Sequence, residues 1–184
     1  MASGALEAVS VVARGWLAAG LPARTLLDGP ALAPEDPAVH AITDFRRDFP
    51  VTIDPRRSID DALGEMIHLG VRALLVEHER RLVGLITSYD IQGEKPMQFL
   101  LSSTLGRHEE LRVEHVMTPW DRLRALDWDT LESARAIDLL RVFEETGLTH
   151  LVIIESAPTQ VVVRGLASRA RLQRQLSHRR RISA

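Results

Sequence analysis

Thr87 and Asp90 stand three residues apart in GLITSYDI (84–91), where an apolar run entering from Leu82 gives way to polar residues. A hydroxyl and a carboxylate at this spacing have two uses. In a capping box each satisfies a backbone N–H at a helix start, and the pair is structural. Alternatively the carboxylate accepts hydrogen bonds from a ligand's hydroxyls, while the free N–H groups and dipole of the helix start favour an anion. Gly84 leaves room for close approach of another group. Both readings stand at this level.

Other reactive chemistry is sparse. The chain has no cysteine, which excludes disulfides, thiol nucleophiles and cysteine-ligated metal centres and fits a reducing compartment. Its 7 histidines include no pair at i, i+3 or i+4, so no helix face offers a metal site. There is no G-x-S-x-G elbow, Walker loop or G-x-G-x-x-G fingerprint. Lys95, in GEKP, is the sole lysine and reads as a solvated loop residue. No catalytic residue, metal ligand or required cofactor is assigned.

Composition bounds the class. The 184 residues can form one domain or two small ones, and the 45% hydrophobic and 26% charged fractions are those of a globular protein. A formal net charge of -2 gives no global pull toward nucleic acid or an anionic membrane. ALEAVSVVARGWLAAGL (5–21) is apolar, but Glu7 and Arg14 interrupt it and it is short for a membrane span. No Lys or Arg precedes it, so it is a poor signal peptide. The expectation is a cytoplasmic protein whose N-terminal segment is a helix packed on the core or on a second subunit.

Periodicity organises the rest. VTI (51–53) reads as a short strand and DPRRS as a turn. Ser58 caps a helix with Ile59, Ala62, Leu63, Met66 and Ile67 on one buried face, and Gly70 ends it in a left-handed conformation. VRALLV (71–76) and LVGLIT (82–87) pair as a hairpin across the polar turn EHER. A helix follows from Ser88, broken near Gly93 and Pro96. The same β-α-β-β-α order then recurs. LRALD (123–127) is a strand, Thr130 or Ser133 opens a helix ended by Gly147, and THLVIIE (149–155) and VVVRGLAS (161–168) are strands about the turn SAPTQ. RARLQRQL closes the set as a helix. Gly70 matches Gly147, Gly84 matches Gly165 and Thr87 matches Ser168, and the lead-ins AITDF (41–45) and HVMTPW (115–120) correspond. Each half alone buries too little apolar surface to be robust, so the halves should pack together.

The ordered set — Met-Thr-Pro lead-in, helix, GVRALLV, polar turn, LVGLITSYDI — resembles the cystathionine-β-synthase-type (CBS) domain. The pair resembles a Bateman module, in particular stand-alone bacterial-type CBS proteins. The resemblance implies an α/β (α+β) fold of tandem β-α-β-β-α repeats packed with pseudo-twofold symmetry, and a non-catalytic regulatory role. It also implies clefts between the repeats for AMP, ADP, ATP, S-adenosylmethionine or NAD(H), with signalling to a regulated protein. On this resemblance Thr87 contacts phosphate and Asp90 holds the ribose, Val51 and Thr52 line the base pocket, and Arg72, Thr149 and His150 face the cleft. The expected divisions are an N-terminal helical or extended segment (1–39), a first repeat (40–106), a second repeat (107–176) and a basic tail (177–184).

The second copy departs from the pattern. GLASRAR keeps Gly165 and Ser168 but places Arg171 where the first copy has Asp90, and an arginine cannot accept from ribose hydroxyls. One competent nucleoside pocket is therefore expected. The Ser168, Arg169 and Arg171 side is either empty or a phosphate-facing wall. The run from Ser168 to Ala184 carries six arginines and no acid. Without interleaved aromatics it is a poor single-strand platform, and a solvated or partly disordered tail is expected. The apolar N-terminal stretch and the faces around Phe99–Leu101 predict a homodimer. The competing readings are a structural or dimerisation module without ligand and, behind it, nucleic-acid contact through the arginine-rich C-terminus.

Overall fold

A computed structural model of the protein describes residues 29–105, 107–157 and 160–182. The apolar stretch at 5–21 lies outside the described residues, as does part of the turn SAPTQ. In chain order the elements are β1 (Ile42–Asp44), β2 (Thr52–Ile53), α1 (Ile59–Leu69), β3 (Ala73–His78), β4 (Arg81–Thr87), α2 (Ser88–Gln92), α3 (Lys95–Ser102), α4 (Val113–Val116), β5 (Thr118–Pro119), β6 (Ala125–Asp127), α5 (Trp128–Ser133), α6 (Ala136–Thr146), β7 (His150–Ala157), β8 (Gln160–Ser168) and α7 (Arg169–Ile182). The α/β repeat is thus present twice.

The strands form two four-stranded sheets, ordered β2-β3-β4-β5 and β1-β8-β7-β6. In each, a short strand runs parallel to the first hairpin strand, and the hairpin's second strand takes an antiparallel edge partner. That partner comes from the opposite half. β5, from the second lead-in, pairs with β4, and β1, from the first lead-in, pairs with β8. The sheets therefore do not follow the contiguous ranges 40–106 and 107–176, because each lead-in crosses to the other repeat's sheet. Even the irregularities match: Val83 on β4 and Arg164 on β8 are the residues skipped by the pairing register, each beside the glycine over which the lead-in passes.

Capping follows the sequence closely at α1. The Ser58 hydroxyl accepts from the Asp61 N–H at 3.0 Å, and Gly70 ends the helix at φ 68°. Gly147 does the same for α6 at φ 69°. The buried face of α1 is Ile59, Ala62 and Met66, whereas Ile67 is 74% exposed. Ile67 lies about 80° around the helix from Ile59, at about 100° per residue, on the rim of the apolar stripe.

The helix expected from Thr130 or Ser133 is two helices. Asp127 caps α5, and the chain extends at Ala134 before α6 begins. The extended residues are held from outside: Ala38 N–H donates to the Ala134 carbonyl at 2.9 Å, and Ala136 N–H donates to that of Asp36 at 2.8 Å. Opening α6 falls to Asp138, which accepts from the Arg135 N–H. At the C-terminus the backbone stays helical through Ile182, so the described part of the expected tail, 177–182, continues α7.

Each repeat has its own core. Ile59, Met66, Leu74, Ile86 and Leu111 are among the buried residues of the first, and Leu131, Leu139, Phe143, Ile153 and Leu172 among those of the second. Between the sheets, Ala73, Leu75 and Leu85 pack with Phe45, Leu123 and Leu166. Among the described residues no helix is long and apolar enough to cross a membrane.

Candidate ligand site: two unlike clefts

Thr87 ends β4 and Asp90 lies in the first turn of α2. The two form a full capping box. Thr87 N–H and the Thr87 hydroxyl both donate to Asp90 Oδ2, at 2.8 and 2.7 Å, and Asp90 N–H donates to Thr87 Oγ1 at 3.2 Å. Asp90 Oδ1 is 2.6 Å from Lys95 Nζ. Lys95 also donates to the Val116 carbonyl at 3.2 Å and to Thr118 Oγ1 at 3.3 Å. The sole lysine is therefore a tie between α2 and the crossing β5 segment, not a free loop residue.

The box opens onto a cavity of about 270 Å3 lined by Leu85, Tyr89, Lys95, Arg122, Arg124 and Thr149, among others. This lies at the small end of the range for small-molecule sites, roughly 300–1,000 Å3. Leu85 and Val152 supply apolar wall, while Lys95, Arg122 and Arg124 supply positive charge beside one carboxylate, Asp90.

A second cavity, also about 270 Å3, is its counterpart across the pseudo-twofold. Its walls include Val51, Arg72, Ser168, Arg171 and Arg174. Each cleft joins the helix start of one repeat to the strand start of the other. That geometry divides the residues expected to share one pocket. Thr87, Asp90, Thr149 and His150 line the first cleft; Val51, Arg72, His150, Ser168 and Arg171 line the second; Thr52 and Arg169 line neither. Arg171 donates to Thr43 Oγ1 at 2.7 Å, so it ties β1 to α7 much as Lys95 ties β5 to α2.

His150 borders both cavities. It is 9% exposed, and burial pushes its pKa down to about 4, with the Asp90 carboxylate opposing and Arg72 reinforcing the shift. Its Nδ1 lies 3.2 Å from Thr149 Oγ1. Nearby, Arg72 Nη1 donates to the Tyr89 hydroxyl at 3.4 Å. A neutral imidazole thus separates a cleft that contains a carboxylate from one with none among its described lining residues.

Residues 42–94 match the sequence profile of the CBS domain family. Over that stretch the chain is similar to a CBS domain. The second repeat lies outside the matched range, and its place in the pair rests on the equivalent strand order and crossover. No curated protein matches the chain. Among solved structures, an uncharacterized conserved protein from Pyrococcus horikoshii is 19% identical over 78% of this chain and 93% of its own, with a TM-score of 0.54. CBSX2, a CBS-pair protein of Arabidopsis thaliana, solved in complex with AMP, is 23% identical over 79% of this chain and 98% of its own, at 0.52. The CBS domain of a bacterial CNNM/CorC family Mg2+ transporter, solved in complex with ATP, is 14% identical over 77% and 87%, at 0.51. These are likenesses of fold, and the fold is that of a CBS pair.

Arg122, Arg124 and Tyr89 enter the first cleft without having been singled out by sequence, and Lys95 enters it after being read as a solvated loop residue. For Lys95 the available signal was its uniqueness. For Arg122 and Arg124 it was their place after the second lead-in, which counts only once that lead-in is known to cross onto the first sheet.

Proposed function

We propose that the protein is a regulatory CBS pair that binds an adenosine nucleotide, or a related adenosyl ligand, in the cleft of Thr87 and Asp90 and signals to a protein partner. The observation that carries this reading is the placement of a cleft carboxylate, Asp90, at a helix start beside Lys95, Arg122 and Arg124. Each carboxylate oxygen has two lone pairs, so Oδ1 can accept from a ribose hydroxyl while keeping Lys95. The guanidinium groups suit the phosphate. The AMP and ATP complexes of CBSX2 and the transporter's CBS domain make adenosine compounds the first to try.

A second reading is favoured by one specific observation. Both Asp90 oxygens already have partners inside the chain, as a structural or dimerising module without ligand requires. Calorimetric titration with AMP, ADP, ATP, S-adenosylmethionine and NAD(H) separates the two. The binding reading expects saturable heat with at least one of them, at one dominant site per chain. No heat with any of them leaves the structural reading. Exposed Ile67, Met97 and Leu101 on α1 and α3 support the further proposal of a homodimer, for which sedimentation at tens of micromolar concentration, a rough range for such contacts, expects twice the monomer mass and is contradicted by a monomer.

A further inference from the structure

The two hairpins are equivalent but do not end alike. Their registers equate Gly165 with Gly84, each preceded by the residue that the pairing skips, so Val161 and Val162 on β8 take the places of Arg80 and Arg81. The first hairpin closes there, in a turn through Glu79 and Arg80. The second continues, adding the pairs Ser156 with Val161 and Ala157 with Gln160. β8 therefore outruns its edge partner. β1 pairs with it at Gly165, Leu166 and Ala167, and Phe45 N–H then donates to the Arg164 carbonyl at 2.9 Å. Beyond that point the chain turns away, with the Arg47 and Asp48 N–H groups both donating to the Asp44 carbonyl. Among the described residues, no strand pairs with the side of Gln160–Val163 that faces away from β7. A groove of about 460 Å3 opens here, lined by Phe45, Arg46, Val162 and Val163 among others.

Natural edge strands are blunted by charge or proline, because their free N–H and C=O groups template a further strand. Gln160–Val163 carries no charged residue, proline or glycine, and three successive valines favour the extended conformation. Val161 and Val162 are 55% and 43% exposed. We infer that this edge pairs antiparallel with the same edge of a second copy of the chain, joining two four-stranded sheets into one. A twofold centred on Val162 sets Val162 against itself, Val161 against Val163 and Gln160 against Arg164. Arg164 is held by Asp44 and Glu155 of its own chain, so no like charges meet unpaired. That self-complementarity selects a second copy over an unrelated strand. The same arrangement at the first hairpin would crowd Arg80 and Arg81 against their own copies, so the second repeat's edge alone is expected to pair. Four residues a side bury far less than the roughly 800 Å2 per partner of a standard interface, so the association is weak, with a Kd of about 0.1–1 mM.

Amide hydrogen exchange of the full-length protein at about 20 µM and about 1 mM brackets that Kd. The amides of Gln160–Val163 that face away from β7 should exchange about threefold more slowly at the higher concentration, since roughly a third of the chains stay unpaired there at a Kd of about 0.3 mM. Arg81 and Leu82, at the equivalent places of the first hairpin, should exchange alike at both. Val162→Lys sets a cation against itself and should abolish the slowing, whereas Val162→Thr, which keeps the β-branch, should retain it. Val161→Lys, at the more exposed neighbour, keeps the test valid if Val162→Lys does not fold. Equal exchange at both concentrations leaves the edge to a strand of another protein and overturns the pairing with a second copy. Slowing that survives in a folded lysine variant, or that is equal at Arg81 and Leu82, overturns it as well. A dimer formed through α1 and α3 would leave the β8 amides unchanged, and nucleotide binding in the first cleft does not enter, so this inference and those readings fail separately.

Discussion

At the scale of single residues, His150 makes the sharpest statement about solution behaviour. It is held neutral by burial, with a folded pKa of about 4 against an ordinary value of 6.5. Between those values the unfolded chain binds the proton and the folded one does not. The stability this group contributes is therefore complete above about pH 6.5 and is lost as pH falls toward 4, by up to about 3 kcal/mol at roughly 1.4 kcal/mol per pKa unit. Chemical denaturation of the native protein and of His150→Leu between pH 7.5 and 4.5 checks this. The native protein should lose stability relative to the variant over that window, and parallel pH profiles would contradict it. Asp44 acts lower on the scale. Burial alone would raise its pKa, but the Arg164 guanidinium, the Arg46 N–H and nearby charge outweigh burial and bring it below the ordinary carboxylate value. Its contribution is present above the unfolded pKa and fades as pH falls through the folded one, so it is separable from that of His150. Local spacing made Thr87 and Asp90 legible as a pair, because a capping box is a contact three residues apart. It could not reveal Lys95 on Asp90, whose other partners Val116 and Thr118 are brought in by a strand crossing.

At the scale of elements, the two glycines that mark the repeat have a role in packing. A Cβ on Gly84 would stand 2.7 Å from the Thr118 carbonyl oxygen and 2.9 Å from Met117 Sδ, and one on Gly165 would stand 2.5 Å from the Thr43 carbonyl oxygen. Close approach was foreseeable at Gly84, but the approaching group is the other repeat's lead-in, not a ligand. Backbone cannot yield here without dragging β5 off β4 or β1 off β8. Gly84→Ala and Gly165→Ala should each destabilise by about 1–3 kcal/mol, the usual range for overpacking. Gly64→Ala, at an exposed position of α1 with nothing near the added methyl, should stabilise by about 0.5–1 kcal/mol. Urea denaturation of the three variants decides it; equal midpoints for Gly84→Ala, Gly165→Ala and the native protein would remove the crossing from the account. The hairpin turn in EHER was read from polarity alone. The structure gives it a conformation: Glu79 and Arg80 both have positive φ, 49° and 62°, as a two-residue turn joining twisted strands requires. No Gly or Asn advertised it, so the turn geometry is imposed by the pairing of β3 with β4. The same holds for Ala134, which breaks a helical pattern because the N-terminal segment takes its carbonyl.

At the scale of the whole molecule, internal symmetry was the most legible feature and its breaking the most informative. The repeat could be read from matched glycines and strand lengths. The exchange of lead-in strands could not, because periodicity says which residues form a strand but not which edge receives it. That exchange is what assembles each cleft from both repeats. It also makes the clefts chemically unlike, with a carboxylate beside cations in one and three arginines in the other. The central claim is that Asp90 holds a ribose diol in the first cleft. The most direct measurement is a calorimetric double cycle: native and Asp90→Asn proteins, each titrated with the tightest-binding nucleotide and its 2′-deoxy form. Asparagine remains a good cap, so stability should change by no more than about 1 kcal/mol. Affinity for the ribonucleotide should fall by about 1.5–3 kcal/mol, roughly tenfold to a hundredfold, because a hydrogen bond to a charged acceptor is lost. The deoxy form should bind the native protein more weakly and lose much less on mutation, since both changes delete the same contact. If the native protein binds both nucleotides equally and Asp90→Asn binds them as the native protein does, Thr87 and Asp90 are a helix cap alone.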